Sequence, residues 1–182
     1  MTSPQPTPIL DFFRNFGRDS GGRTFDAGLA LDDDALERTH DYIQWWFPLR
    51  EPSLAVPGAP VLTAVELEAL RTDATLRARG RAAWVRMLAF YGLVVEGVGD
   101  SCAVRRSERY AQRSADWLSR PHNFMRLTRI FKSLMLRDFE PEARMLFAAL
   151  AEIYAENTPR IGRATFDFWR EAVESSDPKV SR

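Results

Sequence analysis

The chain has 182 residues, 45% of them hydrophobic and 12% aromatic, and its 25 basic and 25 acidic side chains cancel to a formal net charge of zero. That length and apolar content exclude global disorder and suffice for a core without disulfides. The single cysteine, Cys102, excludes an internal disulfide and a cysteine-rich zinc site. No apolar run reaches the roughly 18–20 residues of a spanning helix, and no charged-then-apolar leader is present, so a soluble, cytoplasmic, single-domain protein is expected.

In chain order, the opening MTSPQPTP is too proline-rich for regular structure, and a short helix is expected from Ile9 to Phe16. Gly17 to Gly28 holds four glycines and reads as loop. A helix then starts behind Asp32, whose carboxylate can cap free amides with Asp33 and Asp34 at the positive end of the dipole, and runs to about Phe47 before Pro48 stops it. The next segment contains three further prolines and reads as an extended connector. Thr63 and Glu66 form a capping-box pattern opening a short helix to about Arg71. A longer helix follows over Ala74–Tyr91, with Leu76, Ala83, Met87 and Tyr91 on one stripe and Gly92 as its C-terminal cap.

Leu93 to Arg106 is the one strand candidate, a small hairpin around glycines 97 and 99 that must lean on helices to be stable. A helix near Glu108–Leu118 precedes three more, each expected to begin at a proline, Pro121, Pro141 and Pro159, where the missing amide costs nothing. Their apolar stripes are Phe124, Leu127, Phe131 and Leu134; Leu146, Leu150 and Ile153; and Ile161, Thr165, Phe168 and Ala172. The fold class is therefore all-α: a single-domain orthogonal bundle of about seven or eight helices with one small hairpin near residues 93–106. Residues 1–24 form a Pro/Gly-rich N-terminal segment with a short helix, residues 25–174 the helical domain, and residues 175–182 a loose tail.

The zero net charge conceals a segregation. Met1 to Leu70 carries five basic against eleven acidic residues, whereas Cys102 to Arg137 carries nine basic against two acidic. Such a pattern marks a surface for an acidic partner or segments that pair within the fold. Catalytic and metal patterns are not found. His40 and His122 lack metal-ligand spacing, although with Asp41 they could in principle hold zinc. Cys102 has Arg105 and Arg106 nearby but no acid–histidine arrangement. No enzyme activity, catalytic residue, metal or cofactor is expected. His40, on the stripe Leu36–His40–Ile43–Phe47, reads first as a partly buried core histidine.

The run from His40 to Pro52, HDYIQWWFPLREP, resembles the hallmark HxYIQWLFPLxEP of the opioid growth factor receptor conserved domain, with Trp46 where that family usually carries leucine. Phe90-Tyr91-Gly92 is similar to the family's FYG at a helix end, and the segment from His122 to Lys132 to its HNxxRITRILK helix. The resemblance extends from about Phe25 to Phe147. It implies a receptor-related domain. Vertebrate members are described as nuclear or perinuclear receptors for the pentapeptide Met-enkephalin, and a compact chain without their long extra segments looks more like a bacterial relative. The family supplies no catalytic residues.

The same residues have a physical reading. Tyr42, Trp45, Trp46 and Phe47 are more aromatics than one helical stripe can hide, so the segment is either a helix buried all round or an aromatic groove for a hydrophobic ligand. Arg126, Arg129 and Lys132, with Asn123 and Thr128, can hold a carboxylate, or can pair with Asp32–Asp34 and Glu37. The leading expectation is a non-catalytic module that binds a peptide or protein segment through His40, Tyr42, Trp45, Trp46, His122, Asn123, Arg126 and Arg129. The alternative is nucleic acid or another polyanion on the arginine-rich 105–137 segment.

Overall fold

A computed structural model describes residues 6–174; the tail expected from Ser175 onward lies outside the described residues. The chain is mostly helical with one two-stranded antiparallel hairpin, as the sequence predicts. It divides into two compact units, Met1–Arg86 and Met87–Arg182, with the boundary inside the long helix α6 (Ala74–Tyr91).

The first unit contains α1 (Pro8–Phe13), α2 (Phe25–Leu29), α3 (Asp33–Arg38), α4 (Ile43–Trp46), α5 (Ala64–Thr72) and the opening turns of α6. The single helix expected over residues 32–47 is instead two short ones. Asp32 caps the first through Ala35 N at 2.7 Å, but Thr39 is extended (φ −97°, ψ 128°) and ends it. The physical reason lies in the aromatic excess. A continuous helix would spread Tyr42, Trp45, Trp46 and Phe47 around its surface, whereas a break and re-entry let all four be buried. His40 falls in the break and is exposed, which corrects its assignment to a core stripe.

A second difference is α2, a short helix inside the region read as loop. Thr24 caps it through Ala27 N, and Gly28 is buried under Trp46, whose ring atoms would lie 3.2 Å from a Cβ there. The core is a ring cluster: Phe12 meets Phe25 at 5.5 Å and Trp45 at 5.2 Å, and Tyr42 meets Trp46 at 4.9 Å. The Trp45 indole N–H donates to Ser20 Oγ at 3.0 Å. Acidic residues of this unit find arginines of α6: Asp26 pairs with Arg79 at 2.8 Å and Asp33 with Arg86 at 2.9 Å. Arg23 bridges Asp19 and Asp41. Burial opposes its charge, but the bonds to Asp41 and Asp19 outweigh that and raise its pKa.

The second unit runs from the end of α6 through β1 (Leu93–Glu96), β2 (Ala103–Arg106), α7 (Tyr110–Trp117), α8 (Pro121–Leu136), α9 (Glu140–Ile161) and α10 (Arg163–Glu174). Helices α8, α9 and α10 pack on one another, and β2 lies against α9. Gly92 makes the turn from α6 into β1 in the left-handed region (φ +75°), and a Cβ there would meet Tyr110 Cα at 2.7 Å. Gly92→Ala is therefore expected to lower stability by about 2–4 kcal/mol, combining left-handed strain with a backbone clash. Urea denaturation followed by circular dichroism reads the loss, and an unchanged midpoint would contradict it.

Pro121 and Pro141 sit in the first turns of α8 and α9, as expected. Pro159 does not open a new long helix. It lies in a last turn of α9, after a kink at Asn157 (φ −128°, ψ 28°), and Gly162 (φ +76°) separates that turn from α10. Side chains satisfy carbonyls at the kink: Asn157 Nδ2 donates to Ile153 O and Thr158 Oγ to Tyr154 O, both at 2.9 Å. Starting at Arg163 rather than Pro159, α10 buries Trp169, Ala172 and Val173, and Phe168 of the expected stripe is 59% exposed.

Candidate functional site

The residues singled out by motif are largely interior. Trp46 and Tyr42 are fully buried and Trp45 is 8% exposed, so no indole offers an open face. In the second unit the other two motif segments meet. The Tyr91 hydroxyl donates to Asn123 O at 3.1 Å, the Trp117 indole donates to Tyr91 O at 3.1 Å, and Tyr91, Trp117 and Phe124 form an edge-to-face chain. Asn123 is fully buried, and its side-chain oxygen accepts from the buried Arg126 at 3.0 Å. Arg126 also lies over the Phe90 ring at 5.8 Å. His122 and Arg129 are half-buried. Arg113, which donates to Phe90 O at 2.8 Å, and Arg137 are buried as well, so the arginine-rich segment is not one continuous cationic surface.

Open space lies elsewhere in this unit. Two hollows, of about 360 and 410 Å³, share Glu156 as a lining residue. The first lies between the hairpin and α9, bounded by Glu96, Val104, Arg105, Arg106, Ala149 and Glu152. The second lies against α7 and the kink of α9, bounded by Tyr110, Ala111, Ser114, Ala115, Leu118, Asn157 and Arg160. Sequence alternation explains the first. Val104 and Arg106 share one face of β2, with Val104 buried and Arg106 reaching Glu156 at 2.7 Å. Spacing explains the other wall, because Ala149, Glu152 and Glu156 recur at three and four beside the buried stripe Leu146, Leu150 and Ile153.

The Arg106–Glu156 pair divides the hollows, with the Arg106 guanidinium 4.7 Å from the centre of the Tyr110 ring. The hydrogen bond to Glu156 raises the Arg106 pKa, and burial pushes the Tyr110 phenol up. Arg106 therefore stays charged and Tyr110 neutral across the physiological range. None of Tyr110, Glu152, Glu156 and Arg160 carries a motif. The i,i+4 glutamates of α9 are visible in sequence, but only the hairpin laid against them makes a hollow. Among the described residues, no group of three His, Cys, Asp or Glu could hold a metal ion, and no helix is long and apolar enough to cross a membrane.

These features define a mostly helical domain with a small antiparallel hairpin, whose motif aromatics form its interior. The model of the opioid growth factor receptor conserved region matches residues 24–180, and the chain belongs to that family. It is similar to the human opioid growth factor receptor, at 37% identity over 92% of this chain and 25% of that protein. The rat opioid growth factor receptor is 44% identical over 77% of this chain and 24% of its own length. Mouse opioid growth factor receptor-like protein 1 is 33% identical over 76% of the chain and 30% of its own. The chain thus spans about a quarter of the length of the two receptors. No solved structure matches it.

Proposed function

We propose that this domain is a non-catalytic binding module whose ligand is a peptide or protein segment. The observation that carries the reading is the pair of open, charge-rimmed hollows over α7, the hairpin and α9, large enough for several side chains. The names of its relatives, which are receptors, point the same way. The aromatic hallmark then serves as scaffold: its rings hold the first unit together rather than meeting a ligand.

Burial also decides how the reading is tested. Trp46, Trp84, Trp117 and Trp169 are each below 2% exposure, so intrinsic fluorescence is a poor reporter of a ligand at the surface. Calorimetric titration of the full chain is the better measurement, first with Met-enkephalin and a scrambled control, then with sequences selected from a displayed random-peptide library. Saturable, sequence-dependent heat with any of them supports a peptide module. No enriched peptide and no heat up to millimolar concentration would sink it, and silence from Met-enkephalin alone would detach only that ligand.

A further inference from the structure

The hairpin consists of β1 and β2 alone, so each strand keeps one edge without a neighbouring strand. Its pairing decides which main-chain groups face outward. Ser107 N donates to Gly92 O at 2.9 Å, one step beyond the pair Leu93–Arg106. Bonded and non-bonded pairs alternate in an antiparallel ladder, so Val94–Arg105 and Glu96–Ala103 exchange the hydrogen bonds. The N–H and C=O groups of Val104 and Arg106 therefore turn away from β1, and no described residue bonds them. For Val104 this is unusual: the residue is only 4% exposed, and buried main-chain groups are nearly always paired.

This edge borders open space. Val104, Arg105 and Arg106 all line the hollow of about 360 Å³ against α9, although Arg105 projects from the opposite face of the hairpin to its two neighbours. Consecutive residues from both faces share a hollow only along the margin of a strand, where a guest meets the main chain itself. The far wall is Ala149, Glu152 and Glu156 of α9. The outward residues of β1, Leu93 and Val95, border neither hollow. Val104 and Arg106 each present a donor and an acceptor, repeated every two residues. Another extended main chain matches that pattern at the ordinary strand spacing of about 4.8 Å, whereas an ion or a lone side chain matches one group at a time.

We propose that β2 binds an extended peptide segment as a third strand, main chain to main chain, in the hollow beside α9. The guest bonds Val104 and Arg106 through alternate residues, and the small Ala149 leaves room for its side chains against α9. The proposal rests on the peptide-binding reading and specifies how the peptide is held. Its backbone carries the affinity, and the side chains facing α9 carry the preference.

The test uses ¹⁵N-labelled full chain and two probes. One is a capped heptapeptide of alternating threonine and valine between terminal lysines, and the other is the peptide enriched from the displayed random library. At saturation the Val104 and Arg106 amides are expected to gain about tenfold or more in hydrogen-exchange protection, whereas Ala103 and Arg105, already bonded to β1, keep theirs. N-methylation of the probe on alternate residues should abolish binding in one register and spare it in the other, a signature that no side-chain site gives. Arg106→Pro removes an outward N–H but none of the hairpin's own bonds, and should weaken binding by about tenfold. Arg106→Ala loses the same guanidinium but keeps the N–H, and should weaken it far less; retained protection at Arg105 shows the hairpin intact in both. Equal loss in the two variants, indifference to N-methylation in both registers, or unchanged exchange at Val104 and Arg106 each overturns the proposal, while a peptide that still saturates leaves the binding module standing. Saturation by neither probe removes both. Protection of the two amides in the protein alone, lost on dilution, would assign the edge to a second copy and also overturn it.

Discussion

Trp46→Ala is expected to destabilise the protein by about 3–5 kcal/mol, the range for removing a large buried ring. Against a total of roughly 5–15 kcal/mol for a domain, that leaves a substantial unfolded fraction near physiological temperature. The indole is fully buried, packs edge-on to Tyr42 at 4.9 Å and lies 6.3 Å from Phe25. Its neighbour Gly28 carries no side chain at a point where a Cβ would sit 3.2 Å from Trp46 Cζ2. This explains how the chain takes tryptophan where the family resemblance has leucine: Gly28 leaves the ring its space. Trp46→Leu should therefore cost less than Trp46→Ala. Gly28→Ala should be harmful with tryptophan and much less so with leucine, a coupling that a double-mutant cycle in urea measures. Additive effects would show that the two residues do not share the cavity.

Glu66→Ala carries the second large expected effect, about 3 kcal/mol. The carboxylate is fully buried and accepts from Ile9 N at 2.9 Å, Thr63 N at 3.0 Å and Thr63 Oγ at 2.8 Å. It is at once the reciprocal half of the α5 capping box and the tie from α5 to the start of α1. Removing it strands the buried Ile9 amide as well as the cap. Thr63→Ala, which loses the cap hydroxyl but leaves the Ile9 bond, should cost only about 1 kcal/mol. Hydrogen exchange at Ile9 separates the two: protection is lost in Glu66→Ala and retained in Thr63→Ala. Equal exchange in both would mean that the long-range bond contributes nothing.

These two residues show how unevenly the structure could be read from sequence. The Thr63–Glu66 capping box is a local signal, three residues apart, and it is present as expected. The same carboxylate's bond to Ile9 spans 57 positions and has no local signature. The hallmark run was legible as an aromatic excess, and the excess had two physical outcomes, a groove or burial on all sides. Folding chose burial by breaking the helix at Thr39, a position with no proline or glycine to announce the break. At the other end, Pro159 announced a helix start, but the non-helical Asn157 and the left-handed Gly162 on either side confined it to one turn.

The candidate site was less legible still. Its walls come from the hairpin, from α7 and from α9 on both sides of the kink, so no window of the sequence contains it. His40, Trp45 and Asn123 stood out because their neighbourhoods in sequence are distinctive, yet that distinctiveness marks architecture: a helix break, an indole bonded to Ser20, a buried amide held by Arg126.

Short-range physics, in which caps, prolines, glycines and helical periodicity act within a few residues, was enough to establish helices, a hairpin and a family motif from the amino acids alone. Which aromatic faces are covered, and where the hairpin, α7 and α9 leave open hollows, depends on contacts between segments tens of residues apart. Those contacts are selected by the burial of the whole core and not by any local preference, so they became visible only once the chain was folded.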